Sequence, residues 1–319
     1  MSAINTNFSR SLLTVALFLA TAAGAVATVA DAADPVMRIA FPSGMNGQIV
    51  VTMDKAGIAE KNGLKAEFSS FPYGPPMMEA LAAGSVDAIV TSMLPVAAYA
   101  AKLPGDIKIV AMVNQGGHAL MVAKDSPAAD PSALAGKKIG VSFGSDSHLD
   151  ALIWLRDSGL AGKAVLINIP PAELAGALSN QSVDAIVIRQ PQVLRLQQQS
   201  GARILKSWPL RYVTIAKTKF INEHPKQLQE YLAALRDTTL FMSQHPEQSA
   251  AWFGEYLRMD PSVIMQLAKD DPNASARTIS EIDLSVKPAD RAMIESRLME
   301  AYTAKMIKEK VDPHSLLVE

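Results

Sequence analysis

The stretch Ser85-Val86-Asp87-Ala88-Ile89-Val90 returns letter for letter as Ser182-Val183-Asp184-Ala185-Ile186-Val187, 97 residues later. Two further pairs keep the same order at nearly the same offset. Arg38-Ile39-Ala40-Phe41-Pro42-Ser43-Gly44 is similar to Lys138-Ile139-Gly140-Val141-Ser142-Phe143-Gly144, at 100 residues. Asn62-Gly63-Leu64 is similar to Ser158-Gly159-Leu160, at 96 residues. A single short identity is compatible with chance. Three pairs in one order at one period describe a chain built from two copies of one unit.

Read outward from these anchors, each copy runs strand, helix, strand, helix, strand. The first copy has these segments at 38–41, 47–61, 65–70, 76–83 and 86–90. The second has them at 138–142, 147–158, 164–169, 171–178 and 183–188. Asn62-Gly63 and Gly84 are natural left-handed helix stops. Strands alternating with helices over short connections imply an α/β fold, with parallel strands covered on both faces. A pair of strands is expected after each copy, 107–113 with 119–123 and 203–207 with 212–216. Further on, Pro225, Pro246 and Pro261 each open a helical pattern, where a missing N–H costs little. Asp260 suits the cap of the third. These helices have no strands of their own and are expected to wrap back over the first copy.

The chain has 319 residues, 30 basic against 31 acidic side chains, and no cysteine. That length fits two ordinary domains. The absence of cysteine excludes disulfides, thiolate metal sites, iron–sulfur clusters, thiol nucleophiles and a lipid anchor on cysteine. The balanced charge and an aromatic content of 6% argue against nucleic acid as a partner. The five histidines show no close pairing, so neither a metal nor another cofactor is expected. At the N-terminus, Arg10 precedes an uncharged apolar run over 11–30, and Ala30-Asp31-Ala32 places small residues at a cleavage site. Residues 1–32 therefore read as a secretory signal peptide, with a soluble periplasmic product. The run is about long enough to span a bilayer at ~20 residues, but its Ala, Thr and Gly content and small-residue exit favour cleavage.

Open α/β sheets bind ligands beyond the carboxyl ends of their strands. The candidate ligand contacts are accordingly Ser43, Gly44, Asn46, Tyr73, Gly74, Pro75, Thr91, Ser92, Met93, Gly117 and His118 in the first copy. In the second they are Ser145, Ser147, His148, Arg189 and Gln190. Several of these loops run into helix starts, whose N–H groups attract an anion without any cationic side chain. The serines add neutral donors. Arg189 adds a permanent fork suited to carboxylate or sulfonate. Ser92, Ser145, Ser147, His148 and Arg189 are expected to share one ligand anion.

Phe71-Pro72-Tyr73-Gly74-Pro75, the segments 79–87, 124–127 and 134–141, and Gly144-Ser145-Asp146-Ser147-His148 together carry a family likeness. In this order they resemble the periplasmic substrate-binding proteins of sulfonate, taurine, nitrate and thiamine-precursor ABC importers. The resemblance covers essentially the whole chain after residue 32. It implies a two-lobe periplasmic-binding-protein fold of type II, each lobe a mostly parallel sheet flanked by helices. Lobe 1 would comprise 33–123 and 217–319, and lobe 2 would comprise 124–216, with hinge crossings at Ala123-Lys124 and Ala216-Lys217. It also implies a monomer without enzymatic activity that captures a small anionic solute for a membrane permease and its ATPase. The family often has Trp-Asp-Pro-Tyr where Arg189-Gln190-Pro191-Gln192 stands. Met93 likewise stands where relatives often carry a polar or acidic residue. Gln190 cannot hold a ligand amine by charge, so an anionic ligand lacking an amine is expected. Two rivals stay open. Gly140-Val141-Ser142-Phe143-Gly144 fits a nucleophile elbow, with Ser142 as nucleophile and His224 or His245 as base, which would make an exported serine hydrolase. A thiamine-pyrimidine-precursor binding protein is the other.

Overall fold

The computed structural model describes residues 35–318, so the expected signal peptide lies outside the described residues. Eight strands are present: β1 Met37–Pro42, β2 Ala66–Phe71, β3 Ala88–Thr91, β4 Ile107–Val122, β5 Lys138–Val141, β6 Val165–Asn168, β7 Ala185–Arg189 and β8 Arg203–Lys217. They form one sheet in the order β2-β1-β3-β8-β4-β7-β5-β6. The repeat is visible as a mirror in that order, with β2-β1-β3 answered by β6-β5-β7. Each triplet is parallel within itself, while β8 and β4 run antiparallel to their neighbours. The sheet is therefore mixed and continuous, each half contributing the parallel, helix-flanked triplet expected of its lobe.

The expected short strand pairs are instead two long strands. β4 and β8 pair with each other over most of their length, with register shifts near Ile109, between Met112 and Gln115, and at Leu120. At one end β8 also pairs with β3, and at the other β4 also pairs with β7. Each passage between the halves thus lies within a strand. The expected lobe limits at 123–124 and 216–217 fall at strand ends.

The letter-for-letter repeat has a structural cause. Asp87 accepts from the backbone N–H of Arg38 at 2.9 Å, and from Arg38 Nε and Nη2 at 2.9 and 2.7 Å. Asp184 accepts from the backbone N–H of Lys138 at 2.8 Å and lies 3.3 Å from Lys137 Nζ. Each aspartate accepts from a backbone amide at the start of the strand beside its own, Arg38 in β1 and Lys138 in β5, where the parallel pairing of β1 with β3 and of β5 with β7 begins. The charged pair supports it.

Among the described residues twelve α-helices cover the sheet. Over the first half lie α1 Gln48–Lys55, α2 Ile58–Lys61, α3 Gly74–Ala82 and α4 Met93–Ala100. The helix expected over 47–61 is broken in two at Gly57, which is left-handed at φ 61°. Over the second half lie α5 Asp146–Asp157, α6 Leu174–Ser179 and α7 Gln192–Ser200. The chain ends with α8 Thr218–Glu223, α9 Pro225–Gln244, α10 Pro246–Leu257, α11 Pro261–Ala268 and α12 Pro288–Thr303.

Strand alternation sorts the core into layers. Ile39 and Phe41 face α1, α9 and α10, with Tyr231, Leu235 and Phe253 buried among them. Ala40 and Ile89 face the other way, toward α3, α4 and α12. In the second half Val187 packs with Trp154 of α5, and Ile186 with Leu178 of α6. Leu149 breaks this division. It belongs to α5 of the second half, yet it is fully buried in the layer of α4 and α12 of the first.

Candidate functional site

A cavity of about 530 Å³ opens between the carboxyl ends of the two strand triplets. Matching segments from the two copies line it. Pro42, Ser43 and Gly44 follow β1, and Ser142, Ser145 and Ser147 follow β5. Phe71, Pro72 and Tyr73 follow β2, and Pro171 and Ala172 follow β6. Arg189, Gln190 and Gln192 come from the end of β7. Its size suits a small organic molecule.

Of the expected ligand contacts, Ser43, Gly44, Tyr73, Ser145, Ser147, Arg189 and Gln190 line this cavity. The others do not line it. Met93 is buried in the core of the first half. Thr91 is held in the β3–β8 ladder opposite Val213, and Gly117 in the β4–β8 ladder opposite Pro209. Gly74 packs directly on Pro95, where a Cβ would come within 2.2 Å of its ring. Pro75 meets Gly144 across the cleft. Asn46 is fully buried, its Nδ2 donating to Val90 O at 3.5 Å and its Oδ1 without a partner. Ser92 is buried at the start of α4 and does not cap that helix.

The Ser92 hydroxyl instead accepts from Arg189 Nη2 at 3.0 Å. The same Nη2 lies 3.5 Å from Asp146 Oδ2. Arg189 is thus tied to both halves while 18% of its side chain stays exposed at the cavity. Ser145 donates to Ser142 O at 2.7 Å and accepts from the His148 amide at 3.4 Å, which caps α5. His148 stacks flat on Phe143 at 4.1 Å between centroids. Burial lowers its pKa to about 4, so the ring is neutral at pH 7.

Behind the wall lies a buried charge network. Asp146, 1% exposed, accepts from Arg297 Nη2 at 3.1 Å and from the Leu94 amide at 3.3 Å. Arg297 Nη1 reaches Asp150 at 2.6 Å and Glu300 at 2.9 Å. His118 Nε2 lies 3.0 Å from Asp150. Burial lowers the pKa of His118 despite the neighbouring carboxylate. Burial alone would raise Asp150, but His118 and Arg297 outweigh it and hold the carboxyl below its ordinary range.

Tyr256 and Leu257, at the end of α10, also line the cavity. They escaped the sequence reading because only tertiary packing brings the helical tail there. Asp146 and Arg297 escaped it for a similar reason. An acid in the first turn of a helix ordinarily serves that helix, and nothing local marks a partner 151 residues away. The elbow serine finds no catalytic setting. Ser142 Oγ donates to Ile169 O at 2.8 Å, while His224 and His245 pack on Phe220 and Phe241 in the C-terminal helices. Among the described residues there is no cluster of three metal-ligating side chains, and no helix is long and apolar enough to cross a membrane.

Two repeated α/β halves, joined by two long strands around a cleft, define the periplasmic-binding-protein fold. The chain belongs to the NMT1-like family, whose model matches residues 30–252. An Escherichia coli (strain K12) protein named for the binding of aliphatic sulfonates is 24% identical over 313 residues, 95% of each chain. The crystal structure of the periplasmic aliphatic sulphonate binding protein SsuA from Escherichia coli superposes with a TM-score of 0.71 at 22% identity, covering 89% of this chain and 92% of that one. The alkanesulfonate-binding protein SsuA from Xanthomonas axonopodis pv. citri, bound to MOPS, gives 0.73 at 18% identity, covering 90% and 99%.

Proposed function

We propose that this protein is the solute-binding component of an ABC importer, and that its cavity takes a small organic anion of sulfonate or carboxylate type. The leader reading of residues 1–32 belongs to the same proposal and places the mature chain in the periplasm, beginning at Ala33. The two halves close on the solute through the shared strands β4 and β8, and the closed form delivers it to a membrane permease and its ATPase. The names of the relatives support the sulfonate class. The observation that carries the reading is Arg189. It is a permanently charged fork at the wall of a cavity of about 530 Å³, held by Ser92 of one half and Asp146 of the other.

The test is a thermal-shift screen of the purified protein against alkanesulfonates, carboxylates, taurine, nitrate and pyrimidines. A ligand at 100 times its Kd adds about 2.7 kcal/mol of stability, which is readily seen. Calorimetry then compares variants with the strongest hit. Arg189→Ala is expected to weaken binding about 10- to 100-fold, the value of a hydrogen bond to a charged group. Arg189→Lys recovers little of that if the contact is bidentate. Unchanged binding by Arg189→Ala defeats the anion reading. A screen answered only by pyrimidines transfers the protein to the thiamine-precursor class.

A further inference from the structure

The start of α4 is an anion site in its own right. Ser92 opens the helix without capping it, so the first-turn amides are left to other partners. Pro95 has no N–H to offer, which leaves Leu94 N pointing at both oxygens of one carboxylate, 3.3 Å from each. That carboxylate is Asp146, which comes from α5 of the opposite half. Arg297 Nη2 from α12 lies 3.1 Å from it, and Arg189 Nη2 from the end of β7 lies 3.5 Å from it. One backbone amide, two guanidinium groups and the end of a helix dipole thus converge on a carboxylate that is 1% exposed. The donors come from both halves, and so does the apolar packing beside them, where Leu149 of α5 enters the layer of α4 and α12.

We propose that Asp146 is a tethered anion, whose carboxylate fills an anion site assembled across the cleft and latches the two halves from within. Its neighbours Ser145, Ser147 and Arg189 line the ligand cavity, so the filled site lies directly behind the wall that receives the solute. Two consequences follow for specificity. The start of α4 is closed to a solute anion, which is left with Arg189 and the hydroxyls of the wall. The contact between halves at this point is made entirely by groups of the chain itself. A small free carboxylate has the chemistry to replace the tethered one once the side chain is removed.

The experiment measures thermal unfolding of the mature chain and of Asp146→Ala in sodium formate, with sodium chloride holding ionic strength constant. The variant is expected to melt below the parent. Formate is expected to raise its Tm along a saturating curve, by about 2 °C once it reaches roughly five times its Kd. The parent's formate curve reports what the solute cavity takes and serves as the baseline, above which the variant's response is read. Asp146→Ala combined with Arg297→Ala, which dismantles the site, is expected to lose the response. The proposal is overturned if Asp146→Ala melts with the parent, if formate does no more than chloride, or if the double variant responds equally. Should Asp146→Ala fail to fold in chloride, its refolding yield from urea is compared in the two salts. A higher yield in formate supports the tethered anion, and equal yields overturn it. Any formate taken by the solute cavity appears equally in the parent's curve, and only the variant's response above that baseline is read, so this result stands apart from the identity of the solute.

Discussion

The two copies can be compared at both ends of the same strands. At the amino ends Asp87 and Asp184 do one job, each accepting from a backbone amide at the start of the neighbouring strand. At the carboxyl ends, positions that correspond in the repeat do different jobs. Asn46 and Asp146 occupy the same place in their copies, 100 residues apart. Asn46 has one long hydrogen bond and an unpartnered oxygen, whereas Asp146 has three donor groups converging on it. Gly44 and Gly144 also correspond, yet only Gly144 is left-handed, at φ 78°. The duplicated unit has kept the residues near the start of its strands and changed those at the cleft, so one end keeps the strand pairing and the other lines the cavity differently in each copy.

The sharpest way to break this contrast is to truncate the divergent pair. Asp146→Ala leaves two partly buried guanidinium groups short of a partner and is expected to cost about 3 kcal/mol. Asn46→Ala loses one weak bond and should cost about 1 kcal/mol. Urea unfolding midpoints at pH 7 separate them, and equal losses would show that the two positions carry similar loads. The kept pair comes next. Asp87→Ala removes three hydrogen bonds, two from a guanidinium, and is expected to cost about 2 kcal/mol. Asp184→Ala, whose lysine partner is more exposed, should cost about 1 kcal/mol. The same denaturant titration checks both, and a negligible cost at either aspartate would detach the repeated motif from strand initiation.

The glycines give a smaller step. At Gly144 a Cβ would meet Pro75 Cγ at 2.9 Å on a left-handed backbone. Gly144→Ala is therefore expected to cost about 1–2 kcal/mol and to weaken solute binding by spreading the cleft. Gly44 is extended, at φ −88°, and its Cβ would touch only the Asn46 amide, at 3.0 Å, and a backbone oxygen 3.9 Å away. Gly44→Ala should cost about 0.5 kcal/mol or less. Melting curves and calorimetry on the pair decide whether this asymmetry is real.

The last effect is on pH dependence and is absent at pH 7. The pKa of His148 is lowered to about 4 from an ordinary 6.5. Between those values the unfolded chain binds the proton and the folded chain does not, so stability falls as pH drops from 6.5 toward 4. Asp150, held low, adds a loss of the same sign as it protonates at lower pH. His148→Gln should flatten the upper part of that fall in Tm measured against pH. A parallel curve would place the imidazole in contact with water.

Much of the fold was legible because a duplicated unit states its own period. The strands 38–41, 86–90, 138–142 and 183–188 and the α/β class came directly from it. Merging 107–113 with 119–123 into β4 was not legible, because Gln115-Gly116-Gly117 reads as a turn. In the fold these residues pair with Arg211, Leu210 and Pro209 of β8 and so stay extended. At the site, the loops that line the cavity were marked by their place after strands, which is a topological signal. Tyr256, Asp146 and Arg297 were not marked, because their roles rest on contacts between segments distant in sequence.

The two long strands also set the order in which the molecule can be finished. β8 is the last strand of the sheet in chain order, yet it lies between β3 and β4. Until it arrives, Ala88 to Thr91 of β3 present an open apolar edge, and β4 lacks its main partner. A fragment ending before residue 203 would keep that edge exposed, a template for pairing with another chain. Both halves therefore depend on the same final strand for a sheet neighbour. Contacts of long sequence separation, made by the final strand, govern the rate at which both become whole.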